Sequence, residues 1–242
     1  MISLFTAPLA CLGDLLFPPN CPTCGRLCRT KTRGICATCQ ESMEPLAPPL
    51  CPRCGQPWAG ASVCPSCQAH PQPCRIIRSP LIYGGVTQQA ILCWKLGGVR
   101  SLSDFFAEQI ASAPLDGLCF EELDALVPVP LHPGKLAERG FNQAHSLARA
   151  LSRQTGLPVW PHQLKRKRAT ILQSRMQNPR ERGGNVKNAF VVSSPRRFAG
   201  KTLCLVDDVV TTGSTLSACA TTLLGAGAEA VVAVTVARTL LN

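Results

Sequence analysis

The chain has 242 residues and a mass of 25.8 kDa, enough for one generous domain or two modest ones, and its 45% hydrophobic content suffices for a buried core, which excludes wholesale disorder. Fifteen cysteines, about 6% of the chain, fall between ordinary cytosolic usage and that of small secreted scaffolds, so their spacing must decide. Twenty-five basic against fourteen acidic residues give a formal +11, which calls for an anionic partner: a phosphorylated metabolite, a nucleic acid or a membrane surface.

Met1 to Phe17 is apolar, but Asp14 interrupts it and no Lys or Arg supplies the basic start of a secretory signal, so a cytoplasmic protein is expected. No window approaches eighteen uninterrupted apolar residues. Even Val231 to Ala237 is only seven long and contains Thr235, so no membrane span is expected.

Eight cysteines then form four C-x-x-C pairs within 47 residues: Cys21/Cys24, Cys36/Cys39, Cys51/Cys54 and Cys64/Cys67. Two pairs read CPTCG and CPRCG, a knuckle in which a tight turn ending in Gly aims both thiolates at one tetrahedral ion. Two structural zinc sites follow, with Cys21, Cys24, Cys36 and Cys39 on one and Cys51, Cys54, Cys64 and Cys67 on the other. Spacing alone leaves an interleaved pairing open. A thioredoxin-like redox pair fits poorly, since that chemistry uses one C-x-x-C beside a βαβ pattern, and a disulfide framework does not suit a cytoplasmic chain. A catalytic zinc usually includes histidine, and His70, the one histidine nearby, reads as a solvated loop residue. Eight thiolates less two Zn²⁺ lower the formal charge from +11 to about +7. The other seven cysteines (11, 28, 74, 93, 119, 204 and 219) read as small apolar residues.

Pro71, Pro73 and Pro80 mark a junction, giving a cysteine-rich double zinc-ribbon domain at about 15–78 and a parallel α/β domain at 79–242. Trp94 reads as core. Lys135 to Lys201 carries fifteen basic residues against Glu138 and Glu181, a net +13, while the rest of the chain is close to neutral. A charge run is commonly a solvated face. The stretch LKRKRATILQSRMQNPRERGGN is too polar to bury itself, however, and suits a mobile loop that covers an anion.

KTLCLVDDVVTTGSTL, Lys201 to Leu216, names that anion. Leu203 to Val206 predicts a central parallel strand, with Asp207 and Asp208 at its carboxyl end, where open α/β sheets place their ligands. From Gly213 the pattern is helical, with Leu216, Cys219, Ala220, Leu223 and Leu224 on one side and Gly225 and Gly227 as the stop. Thr211, Thr212, Gly213, Ser214 and Thr215 therefore form a strand-to-helix turn whose hydroxyls and N–H groups make a phosphate cradle. The two aspartates before it suit a vicinal diol, and a diol beside a phosphate indicates ribose 5-phosphate. Gly200-Lys201-Thr202 ends like a Walker A loop but precedes a strand, and Gly225-x-Gly227-x-x-Ala230 leaves a helix, so neither is a nucleotide motif.

At these residues LCLVDDVVTTGST resembles the phosphoribosyl pyrophosphate (PRPP) signature of type I phosphoribosyltransferases. VPVPLHPGKLAERGFNQA, Val127 to Ala144, and the run with Arg166, Arg168, Thr170, Gln173, Arg182, Asn185, Ala189 and Phe190 extend the likeness. With the cysteine-rich front end, nearly the whole chain is similar to the ComF family, phosphoribosyltransferase-like proteins tied to natural competence and DNA uptake in bacteria.

The resemblance implies a type I phosphoribosyltransferase fold, a parallel sheet flanked by helices, after the ribbon domain. It implies that Asp207 and Asp208 bind the ribose of PRPP and Thr211 to Thr215 its 5-phosphate, and that Mg²⁺ enters with the pyrophosphate. The loop after Ala125 to Val129, through Leu131, His132, Lys135 and Arg139 to Asn142, corresponds to the pyrophosphate loop, although a solvated His132 is an equal alternative. Lys165 to Asn185, with Arg166, Arg168 and Arg182, corresponds to a hood that closes over PRPP. Lys95 matches a recurrent family lysine, or simply snorkels from a helix. Two functions follow as expectations: phosphoribosyl transfer from Mg-PRPP to an acceptor the sequence does not name, or a non-catalytic adaptor that binds single-stranded DNA or DNA-uptake (competence) proteins through the basic segment and the ribbons. Metal analysis of the purified protein should give about two Zn per chain, and a value near zero would revive the redox reading.

Overall fold

The protein is described by a computed structural model over residues 20–28, 34–166 and 189–240. Both ribbons begin with a knuckle in which the glycine N–H returns to the first cysteine's carbonyl, Gly25 to Cys21 at 2.8 Å and Gly55 to Cys51 at 3.0 Å. The glycines have φ of +72° and +73°, which a side chain would strain. The second half of each tetrad starts a one-turn helix, α1 (Ala37–Glu41) after Cys36 and α2 (Pro65–Ala69) after Cys64.

The rest of the fold is a parallel sheet covered on both faces. Its strands are β1 (Ile77–Arg78), β2 (Leu81–Ile82), β3 (Ala125–Pro128), β6 (Thr202–Val210) and β7 (Ala230–Arg238), in the order β1–β7–β6–β3, with β2 also on β7. Every pair is parallel. A separate antiparallel pair, β4 (Leu164–Arg166) with β5 (Phe190–Val192), lies on either side of residues 167–188 in sequence. Those residues, which include Arg168, Arg182 and most of the expected hood, lie outside the described residues.

Burial on both faces explains the unbroken apolar run in β6. Cys204 and Val206 pack with Trp94, Phe106, Leu147 and Leu151 from α3 (Gly85–Leu96), α4 (Leu102–Ser112) and α6 (Gln143–Thr155). Leu203 and Leu205 turn the other way, toward Trp160, Phe198 and the Leu216, Cys219 and Leu223 stripe of α7 (Ser214–Gly225). Trp94 is fully buried as expected, 5.2 Å from the Phe106 ring, and its indole N–H donates to Ser103 Oγ at 3.0 Å.

Two local readings change. The expected strand of four residues is nine long, because β7 continues to offer partners past the acids: Asp207 stands opposite Thr235 and Val210 opposite Arg238. The two aspartates therefore sit within the ladder, at the sixth and seventh of its nine residues, and not beyond it. The expected pyrophosphate loop is partly helical, with α5 spanning Pro133–Arg139. Pro133 at the first helical position and Gly140 at φ +73° after the last are the signals that define it. Among the described residues no helix is long and apolar enough to cross a membrane.

Candidate active site and metal centres

The eight paired cysteines fall into two tetrads, Cys21/Cys24/Cys36/Cys39 and Cys51/Cys54/Cys64/Cys67, each with its sulfurs within 4.8 Å of one another. The pairing is therefore sequential. Thiolates about 2.3 Å from a tetrahedral ion stand about 3.8 Å apart. Cys24 to Cys36 and Cys54 to Cys64 are both 3.7 Å, Sγ to Sγ. Backbone N–H groups of Cys36 and Cys64 also reach Cys21 Sγ at 3.5 Å and Cys51 Sγ at 3.4 Å, which favours the thiolate form. All-cysteine tetrads with no open position fit structural zinc.

The acidic pair opens onto a cleft of about 210 Å³ lined by Lys95, Lys135, Arg139, Gln143, Arg166, Asp207, Asp208 and Thr215, among others. A smaller recess of about 30 Å³ continues from Asp207 and Val209 along Thr211, Gly213, Ser214 and Thr215. At its floor Gly213 caps α7 with φ +79°, and the first-turn N–H groups of that helix have no intrahelical acceptor. Four cations and two carboxylates thus share one cleft with a helix N-terminus.

Lys95, 113 positions away in sequence, places its Nζ 2.9 Å from Asp208 Oδ1, with both side chains mostly covered. It is an ion-pair partner and does not snorkel outward. The backbone carbonyl of Lys95 accepts from Gln143 Nε2 at 3.3 Å, and Gln143 Oε1 accepts from Arg139 Nη1 at 3.2 Å. Arg139 Nε is buried with no partner, an unsatisfied donor at the cleft wall. His132 stands apart: its Nδ1 accepts from Gly134 N–H at 3.2 Å as the cap of α5, and it does not line the cleft. Lys135, Arg139 and Arg166 do line it. Lys95 and Gln143 both fall in stretches that resemble the family, but the sequence does not pair either with the acids, because both arrive on helices packed over the sheet.

Burial, and then the neighbouring Asp208 carboxylate, push the Asp207 carboxyl from its ordinary 3.8 up to about 8, against the pull of the Asp208 N–H, Lys95 and Arg166. The Asp208 N–H donates to Asp207 Oδ1 at 2.9 Å. The folded state therefore favours protonated Asp207, and that stabilisation is complete below about pH 4 and lost as pH rises through about 8. Asp207→Asn, a mimic of the protonated form, should raise the melting temperature of the ligand-free protein at pH 8 to 9 and raise it less at pH 5. An equal shift at both pH values would contradict the assigned titration.

Two family profiles match the chain. A profile of the double zinc ribbon domain matches residues 12–68, and one of the phosphoribosyl transferase domain matches residues 136–240. Competence protein F of Haemophilus influenzae is 41% identical over 95 residues, a match that covers 39% of this chain and less than half, 41%, of that relative's length. DNA utilization protein YhgH of Salmonella typhimurium is 33% identical over 244 residues, covering 93% of this chain and 100% of that protein. Among solved structures, the glutamine PRPP amidotransferase of B. subtilis superposes with a TM-score of 0.39 and 20% identity over 57% of this chain and 26% of that one, too loosely to carry an argument. A relative matched from end to end, and the two domain types in the expected order on one chain, make this protein a member of the ComF family.

Proposed function

We propose that the protein binds Mg-PRPP and transfers its phosphoribosyl group to a nucleophilic acceptor, with loss of pyrophosphate. The observation that carries this reading is the single cleft in which a carboxylate pair adjoins both a helix-start recess and a set of cations. In it Asp207 and Asp208 accept the ribose hydroxyls, Thr211 to Thr215 hold the 5-phosphate, and Lys95, Lys135, Arg139 and Arg166 face the pyrophosphate. Mg²⁺ comes with the substrate, held by its phosphates and not by a protein cage. Arg168 and Arg182 join from the hood, and closure of that segment over the cleft excludes water from the ribosyl centre. The relatives' competence and DNA-utilization names extend the reading to DNA uptake as the setting of the reaction.

Lys95 pairs with Asp208, so the diol must displace it and the pyrophosphate must take it over. Titration calorimetry separates these roles. Wild type should bind Mg-PRPP, and Asp207→Asn/Asp208→Asn should bind it at least about tenfold more weakly through loss of charge-assisted hydrogen bonds. Lys95→Ala should weaken Mg-PRPP but leave ribose 5-phosphate binding unchanged or tighter. No binding of Mg-PRPP by the wild type would overturn the reading.

The same relatives' names favour a second reading, a non-catalytic adaptor that binds single-stranded DNA through the +13 segment. Phosphate contacts of that kind give affinity that falls steeply with salt. Charge reversal at Lys165 to Arg168 should then reduce DNA binding and flatten its salt dependence, and unchanged binding would remove this reading.

A further inference from the structure

The second ribbon is joined to the sheet through charge. Arg78, at the end of β1, is 4% exposed, and its guanidinium donates to the carbonyls of Asp116 at 2.7 Å, Pro52 at 3.0 Å and Cys51 at 3.5 Å. Arg238, at the end of β7, is 3% exposed and donates to the carbonyl of Cys54 and to Gln56 Oε1, the latter at 3.1 Å. Two sheet residues therefore grip the Cys51–Gly55 knuckle by its backbone. They also match it in charge, since four thiolates around Zn²⁺ carry a net −2 and two buried guanidiniums carry +2. The contact is close: a Cβ on Gly55 would stand 2.6 Å from the Ile77 carbonyl oxygen, so any side chain there would force the knuckle and β1 apart.

The far side of the same knuckle leads to the phosphate turn. Arg53 Nη1 donates to the Gln72 carbonyl at 3.0 Å. The Gln72 side chain accepts from the Ser217 hydroxyl in the first turn of α7, and its Oε1 lies 3.6 Å from where a Cβ on Gly213 would stand. A cavity of about 20 Å³ is bounded by Cys54, Cys64 and Cys67 on one side and by Gln72 and Thr212 on the other. No equivalent chain of contacts joins the first tetrad to the turn among the described residues.

We infer that Gln72 is a positioning residue for the 5-phosphate turn, and that through it metal binding at the Cys51 tetrad and phosphate-ester binding at Thr211 to Thr215 are thermodynamically coupled. This rests on the phosphoribosyl reading of the cleft. Coupling between two sites is reciprocal, so a ligand at the turn must tighten zinc at the second tetrad by the factor by which that zinc tightens the ligand. The first tetrad should be indifferent.

The test is an equilibrium competition of the zinc-loaded full chain against a zinc-selective chromophoric chelator, with and without saturating ribose 5-phosphate, a probe that needs no Mg²⁺. The wild type should release two zincs, one of them held roughly fivefold or more tighter when the sugar phosphate is bound. Gln72→Ala should still hold two zincs but lose the ligand-dependent shift, with its sugar-phosphate affinity falling by the same factor. Gln72→Glu, which keeps an acceptor for Ser217, should retain more of the shift than Gln72→Ala. Calorimetry on the same samples separates the failures. If ribose 5-phosphate binds and neither zinc responds, or if Gln72→Ala keeps the shift, the coupling is wrong. If neither ribose 5-phosphate nor Mg-PRPP binds at all, the phosphoribosyl reading itself falls and the coupling falls with it.

Discussion

Two carboxylates on consecutive residues of a paired strand are the constraint from which the rest of the site follows. Asp207 and Asp208 are the sixth and seventh of the nine residues of β6, and the ladder to β7 pairs Asp207 with Thr235 and Val209 with Ala237 on either side of Asp208, so neither backbone can swing away to relieve the repulsion between them. Such a pair must be protonated or compensated. The fold does both, favouring the protonated form of Asp207 and bringing Lys95 from α3 to Asp208. The cations that line the cleft then leave more positive charge than the acids consume, which is the electrostatic condition for binding a polyanion that carries a diol.

The same logic of compensated charge organises the metal-bearing end. A tetrathiolate zinc centre against the edge of a sheet needs positive partners, and Arg78 and Arg238 supply them from strands that also belong to the main core. The second ribbon is in this sense part of the α/β unit and not an appendage. The first ribbon packs differently, its Cys21, Ile35 and Cys39 joining the apolar cluster of α3 and α4, with Cys93 Sγ 3.1 Å from the Pro22 carbonyl. One ribbon is thus held by apolar burial and the other by buried cations.

What the sequence revealed was chemistry confined to short stretches. Zinc knuckles are legible because four ligands must converge from local turns, and Cys21 to Cys67 carries the whole pattern. The strand, acids, turn and helix from Lys201 to Leu224 are legible for the same reason. Lys95, Gln143 and Gln72 were opaque as site partners, because they reach the acids or the turn only through packing between segments far apart in sequence. The sequence understates the length of β6 because the polar pair interrupts the apolar run, while Val209 and Val210 beyond it still pack against the core and pair with β7. Helix α5 is hard to see in the sequence although Pro133 and Gly140 bracket it, since a seven-residue segment with no buried residues has no apolar face to announce it.

Receipt of a diol by Asp207 and Asp208 is tested most directly by proton linkage. Burial and the Asp208 carboxylate push the Asp207 carboxyl up toward its protonated form, whereas a carboxylate accepting ribose hydroxyls is favoured in its ionised form. Calorimetry of Mg-PRPP binding near pH 7 in buffers of different ionisation enthalpy should therefore show protons released by the wild type, and fewer released by Asp207→Asn at ligand concentrations high enough to saturate it. Binding with the same proton count in both proteins would contradict the assignment.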